Sequence, residues 1–475
     1  MVFSSIVFLL YFLPVFLITY YLVGKNYKNI VILAFSIFFY AWGAPKFIFV
    51  ILGTTFIDFH LVKWMSSIEN KLKRRLFLTF SVSINLGLLF YFKYSNFFIE
   101  NINSVLSVFG EKQIIWTKLL LPIGISFYTF ETITYVVDVY RGIHKPLKRF
   151  WDYQLYIILF PKLIAGPIIR YHELADQITD RTENETVDNR ITGLIRFIIG
   201  LSKKVLIANH LGFVADQVFG SSYLELGTIN AWLGALAYTF QIYFDFSGYS
   251  DMAIGIGKMI GFKFPENFNN PYISTSITDF WRRWHMTLGS WFRNYLYIPL
   301  GGNKVKSKSR LYFNLWLVFI ASGFWHGASW SFIFWGAYHG FFLVMERIFL
   351  LKIYERLNRL VCIALTFFIV LNGWVFFRVE KFSDALLFLK KMYAFNSVGV
   401  SSVFTVEVSF YFIVATIFAF FAANTKGVSI QNLVFYDKYT HRRLLVITSV
   451  GFVLLIVSIA SITASDFNPF IYFRF

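Results

Sequence analysis

The sequence predicts an all-α, polytopic integral membrane protein, and three observations carry that reading. Of its 475 residues, 57% are hydrophobic and 21% aromatic, while only 15% are charged. A soluble globular chain is about half apolar and about a quarter charged. Mean hydropathy is +0.60, with apolar residues along the whole chain. The net charge of +18 falls in clusters between apolar runs: Lys25/Lys28, Lys71/Lys73/Arg74/Arg75, Arg141/Lys145/Lys148/Arg149, Lys304/Lys306/Lys308/Arg310 and Lys438/Arg442/Arg443. Cytoplasmic loops under the positive-inside rule look like this, so the excess cation requires no nucleic-acid partner.

The first stretch, "MVFSSIVFLLYFLPVFLITYYLVG", has no basic n-region and no small-residue cleavage site. It reads as a retained span with its N-terminus outside and Lys25 inside. Apolar segments follow at about 29–43, 45–64, 76–98, 118–140, 153–169, 191–217, 228–260, 311–325, 329–350, 360–378, 403–423 and 444–463. A spanning helix needs about 20 residues, so several are too short to cross simply. The basic clusters all land inside if 153–169 is re-entrant and 311–350 is a hairpin. That arrangement gives about eleven transmembrane helices and an outside C-terminus.

Two regions break the pattern. "FPKLIAGPIIRYHEL" places Pro161, Gly166 and Pro167 inside an apolar run, which interrupts a helix. Broken backbone at membrane depth is expected to line something, whether protein or a wet cavity. Residues 262–310 are too polar to span yet hold Trp281, Trp284 and Trp291, and read as short interfacial helices on the cytoplasmic face. The charged stretch "ADQITDRTENETVDNR" (175–190) reads as an exposed loop. A lone cysteine, Cys362, excludes an intramolecular disulfide and a cysteine metal site. With no fixed-period repeat and no long linker, residues 1–475 read as one membrane domain.

Ionisable residues at membrane depth are costly and default to functional candidates. Here they are Asp58, Glu131, Asp138, Asp245, Asp251 and Glu346, with His285, His326 and His339. No histidine has ligand-spaced partners of the HExxH kind, so no metal site is expected. "GIGKMIG" (255–261) echoes a phosphate loop weakly and fits close helix packing better. "YFDFSGYSDMAIGIG" (243–257) puts Asp245, Tyr249 and Met252 on one face, either as a polar cavity wall or for interhelical hydrogen bonds.

"SGFWHGASWSFIFWGAYHG" (322–340) holds two histidines and no charge. Fifteen helical residues before His326 rise only about 22 Å, less than the ~30 Å hydrocarbon core, which leaves the ring inside the membrane. Gly323 and Gly327 are expected to leave room for a ligand beside it. His326 is thus either a neutral base or a satisfied core histidine. His339 reads more readily as a hydrogen-bonded packing residue. His285, beside Arg282, Arg283 and Arg293, suits an anionic ligand arriving from the cytoplasm or, equally, lipid headgroups.

These stretches resemble the membrane-bound O-acyltransferases, in particular the bacterial branch that O-acetylates alginate. The resemblance rests on "LPIGISFYTFETITYVVDVYRG" (121–142), "FPKLIAGPIIRY" (160–171), "FQIYFDFSGYSDMAIGIGKMIGFKFPENFNNPY" (240–272), "TDFWRRWHMTLGSWFRNYLYIPLGGN" (278–303), "SGFWHGASWSFIFWGAYHG" (322–340) and "FIYFRF" (470–475). Gly289 stands where serine is expected, and the terminus reads "FRF" for "FQF". The resemblance implies helices and re-entrant segments around a central tunnel joining the two faces. It makes His326, in "FWHG", the catalytic base and His285, in "WRRWHMTL", a second functional histidine. Arg282, Arg283, Trp284, Arg293, Asp245 and Trp325 become candidates for donor binding or tunnel lining.

The implied reaction moves an acetyl group from a cytoplasmic thioester, acetyl-CoA or another acyl thioester, towards an exported polysaccharide such as alginate, with no bound cofactor. Implied partners are the bilayer, a periplasmic or extracellular acetyltransferase and the polymer; the location is the bacterial cytoplasmic (inner) membrane. Peptidoglycan or cellulose O-acetylation and teichoic-acid D-alanylation remain alternatives on the same fold. Broken helices and buried carboxylates also suit a transporter, although paired repeat halves are absent. A scaffold in a secretion complex would need neither histidine.

Overall fold

The computed structural model describes residues 2–396, 405–437, 439–465 and 470–471, and its regular structure is helical. Lys438 and the terminal "FRF" lie outside the described residues. Among the described residues, five helices are long and apolar enough to cross a membrane: Ile48–Ser67, Lys71–Val108, Arg359–Arg378, Val406–Ala423 and His441–Ala464. Length and composition thus identify fewer spans than the eleven implied by the charge pattern. Within the single domain expected over 1–475, contacts group the chain into two compact units, one built on Val7–Arg190 with Gly257–Phe264, the other on Ile191–Ile256 and Pro265–Phe475 with Val2–Ile6.

In the first unit the 153–169 run is broken where its prolines and glycine require. Helix Phe150–Ile158 stops at Leu159, a turn at Phe160–Leu163 follows, and Tyr171–Thr179 starts afresh. Nine helical residues rise only about 13 Å, too little to cross. The whole segment is buried in protein. Lys162 at its centre meets Glu131, on helix Ile125–Arg141, in a fully buried ion pair. Gly124, at φ +75°, lets the chain approach: a Cβ there would sit 2.6 Å from the carbonyl oxygen of Leu163. Residues 175–190 are not the exposed loop expected. Part is helical, and Arg181 is buried, donating to the Ile260 carbonyl at 3.0 Å and Asn29 Oδ1 at 2.7 Å. Hydropathy scores the charge as solvated because it cannot see these distant acceptors.

In the second unit, the long helix Thr228–Met259 lies close to the helix beginning at Val187. A Cβ on Gly248 would sit 2.6 Å from Gly200 O, and one on Gly255 would sit 2.6 Å from Gly193 O. Gly255, the first glycine of "GIGKMIG", therefore serves helix contact, which in a membrane depends on small residues rather than on hydrophobic force. Residues 262–310 do form short helices, Ile277–Arg283 and Met286–Phe292. They are not laid on the surface, however: Phe280, Trp284, Leu288 and Trp291 are buried, and Phe280 and Trp284 join a core with Trp335 and Trp374. Glu346 caps the first of them, accepting from the backbone N–H groups of Ile277 and Thr278, where a carboxylate also opposes the positive end of the helix dipole.

The 311–350 hairpin forms from Lys308–His326 and Trp330–Met345. The first helix is longer than its apolar run because Lys308 and Arg310 build its first turn behind the Ser307 cap. Its nineteen residues rise about 28 Å, close to the hydrocarbon thickness. Gly323 and Gly336 form the crossing; a Cβ on either would sit 2.2 or 2.3 Å from a carbonyl oxygen of the facing helix.

Candidate functional site

His326 is the last residue of Lys308–His326, and the backbone turns extended at Gly327. Its ring is buried within aromatic edges: Trp325 at 4.8 Å, Phe377 at 5.0 Å and Trp335 at 5.2 Å between centroids. The flanking glycines do not open space for a ligand as expected. Phe332 occupies both positions, its carbonyl oxygen facing Gly323 and its ring lying 2.1 Å from where a Gly327 Cβ would be. His326 borders a cavity of about 10 Å³, lined also by Ile242, Phe246, Trp284 and Ile471. That admits about one water-sized sphere.

Asp245 does not line this cavity but bonds to Ile471, which does. Its carboxylate pairs with Lys204 at 2.7 Å and accepts the backbone N–H of Ile471 at 2.7 Å. It thus ties Ile471 beside His326. Asp251 is likewise engaged, with Arg196 at 2.8 Å and Lys203 at 2.6 Å.

His285 stands at the wall of a larger cavity of about 580 Å³, together with Trp281, Arg282, Trp284, Arg293, Ser322 and Arg347. Arg282, Arg293 and Arg347 are exposed, and among the described residues none of the three forms an ion pair. Three uncompensated guanidinium groups around one mouth suit a multiply charged anion such as a phosphorylated thioester. Arg283 turns away, to Asp279 at 2.9 Å and the Asn269 carbonyl. Burial drives the His285 pKa down to about 3, which keeps the ring neutral.

The two imidazoles share an aromatic partition. Trp284 lines both cavities. Trp325 lies 6.3 Å from the His285 ring and 4.8 Å from that of His326, and Phe246, which lines the small cavity, meets His285 edge-on at 4.7 Å.

The 147–378 segment matches the profile of the MBOAT, membrane-bound O-acyltransferase, family. Over the full length of both chains the protein is 41% identical to the probable alginate O-acetylase AlgI of Pseudomonas putida. The chain belongs to the membrane-bound O-acyltransferase family. It is a multi-pass membrane acyltransferase. A second member, the peptidoglycan O-acetyltransferase of Helicobacter pylori, is 37% identical over 84% of this chain and 81% of its own. A third, the teichoic acid D-alanyltransferase of Bacillus subtilis, is 31% identical over 56% of this chain and 70% of its own.

For this acyltransferase the described residues contain no cluster of three metal-ligating side chains. His339 lies in the tryptophan core, 4.9 Å from Trp281 and 5.2 Å from Trp335, with its Nε2 where a Gly373 Cβ would clash. It is a packing residue but not the hydrogen-bonded one expected, since neither ring nitrogen has a partner among the described residues. Gly289 lines the larger cavity, and a Cβ there would meet only the Trp281 carbonyl at an ordinary 3.6 Å. Sequence reasoning missed Arg347. The signal was available: a hairpin of two similar helices returns the chain to the level of Lys308, so the next basic residue joins the same arginine-lined mouth.

Proposed function

We propose that this acyltransferase takes an acetyl group from a cytoplasmic thioester, binds that donor in the arginine-lined cavity, and delivers the acyl group for O-acetylation of an exported polysaccharide from the bacterial inner membrane. The observation that carries the reading is the paired arrangement of the histidines. His285 borders a cavity large enough for a cofactor-sized ligand, since such sites run about 300–1,000 Å³, and His326 borders a tight apolar cavity across the shared Trp284. In the transfer, His326 accepts the proton of the attacking hydroxyl as its oxygen bonds to the thioester carbonyl carbon. The C–S bond then breaks, and the imidazolium returns the proton to the departing sulfur. A positioned base of this kind contributes about 10²–10⁴-fold. Handing the acetyl group to a hydroxyl of an extracytoplasmic partner protein obeys the same chemistry.

Alginate-type polymers are favoured as acceptors by the 41% identity to the Pseudomonas putida protein; peptidoglycan is the second reading, favoured by the 37% identity to the Helicobacter pylori enzyme. The test is ester analysis of surface polysaccharide and peptidoglycan from a deletion strain complemented with wild type or His326→Ala, at matched membrane levels. The variant is expected to leave one polymer without acetyl esters, which also names the acceptor. Normal esters on both would overturn the reading and leave a transporter or scaffold.

A further inference from the structure

Asn267, on the stretch leading into the short helices, is 1% exposed and makes contact with three consecutive residues around His285. Its backbone carbonyl accepts the N–H of Met286 at 2.9 Å. Its side-chain oxygen accepts the Thr287 hydroxyl at 2.8 Å and the Thr287 backbone N–H at 3.4 Å, and it lies 3.0 Å from His285 Nδ1. Its amide nitrogen donates to Ser250 Oγ at 3.0 Å, on helix Thr228–Met259. His285 itself sits at φ +43°, in the left-handed region, which a residue with a Cβ occupies only when its surroundings hold it there.

These contacts fix a tautomer. A backbone N–H can only donate, so the Asn267 atom facing Thr287 is the oxygen and the amide nitrogen faces Ser250. An amide oxygen can only accept, so the hydrogen shared with His285 belongs to Nδ1. A neutral imidazole carries one N–H. Nε2 is therefore the bare nitrogen, and it is buried with no hydrogen-bond partner among the described residues, on a side chain that lines the arginine-rich cavity.

We propose that Asn267 is a positioning residue: it locks His285 as the Nδ1–H tautomer, so that Nε2 offers a lone pair to an N–H or S–H group of the thioester donor. His285 is then a hydrogen-bond acceptor for the donor's arm or its released thiol, not an acid and not an anion-binding group. This assignment rests on the reading of the larger cavity as the donor site. The tautomer itself is independent of any turnover.

The experiment uses the full chain in lipid nanodiscs with ring-15N histidine, the His285 signals being assigned by their loss in His285→Gln. The expected result is a pyrrole-type Nδ1 and a pyridine-type Nε2 in the wild type. Asn267→Asp, which keeps the accepting oxygens and can accept from the Ser250 hydroxyl, should preserve that pattern. Asn267→Leu should mix the tautomers and raise the KM for an acyl thioester by about tenfold or more, the scale seen when a histidine loses its orienting partner, with a smaller change in kcat. A pyridine-type Nδ1 in the wild type overturns the proposal, and that measurement stands even if Asn267→Leu fails to fold. So does an unchanged His285 spectrum in Asn267→Leu, or an Asp variant that behaves like Leu. Normal esters in His326→Ala together with the expected tautomer would instead remove the acyl-transfer reading and leave the Asn267 lock in place.

Discussion

Both compact units pair their buried charges, the second through Asp245 with Lys204 and Asp251 with Arg196 and Lys203, but the second also leaves polar groups open beside a cavity. In the first, the charges at depth have partners: Lys162 with Glu131, Asp58 with Asn85 at 2.8 Å, Asp138 with His172 at 2.8 Å. In the second, the histidine region has an Nε2 on His285 and an indole N–H on Trp281 without partners among the described residues, and exposed arginines without counter-ions. The lesson concerns where function sits in a membrane protein. A charge that has persisted in an apolar interior is usually one that has been neutralised locally, because an unpaired one is too costly. The groups left available for a substrate are neutral ones, which can wait unsatisfied at lower cost, and cations at the wet mouth.

The largest effect expected from that contrast is at His326. His326→Ala should lower acetyl transfer by about 10²–10⁴-fold with unchanged membrane abundance. Lys162→Met should do the reverse. Removing one partner of a buried pair costs about 3–5 kcal/mol, so thermal stability in detergent and membrane level should fall while activity per molecule holds. A normal melting curve with lost specific activity would put the first unit's charges among the functional groups and break the comparison.

Next comes the mouth. Substituting Arg282, Arg293 or Arg347 with Gln should each raise the donor KM by about tenfold, the scale of a charged hydrogen bond of about 1.5 kcal/mol, and flatten its salt dependence. A rise in KM for Arg283→Gln of the same size would remove the distinction drawn from its Asp279 pairing. His339→Ala should cost about 1–3 kcal/mol of stability as a cavity opens beneath Gly373, with activity reduced far less than in His326→Ala.

The smallest effect is a pH signature. Burial lowers the His285 pKa to about 3, below its unfolded value near 6.5. Its neutral form thus supports the fold fully above that value, and the support drains away as pH falls below it. Between pH 7 and 5 the wild type should lose up to about 1.4 kcal/mol more per pH unit than His285→Gln, read from thermal midpoints. Equal losses would mean that the ring is less buried than it is described.

Much of this was legible beforehand. The broken segment at 153–169 followed from Pro161 and Pro167, the hairpin from the basic clusters, and short helices at 277–292 from a run too polar to span yet rich in tryptophan. The errors share a cause. Gly323 and Gly327 suggested room for a ligand but receive Phe332; residues 175–190 suggested an exposed loop but bury Arg181. In each case the deciding partner is set by the three-dimensional packing and carries no fixed spacing in the chain.

The sequence by itself determined the all-helical membrane architecture, the places where helices break, and which two histidines to examine, since each follows from local hydropathy, backbone chemistry and short motifs. Only the tertiary structure decided which polar groups are spent on one another and which are left open. Burial and hydrogen-bond satisfaction are properties of pairs brought together across the fold. The 267–287 contact that orients His285 arises from two segments twenty residues apart and a serine on a third.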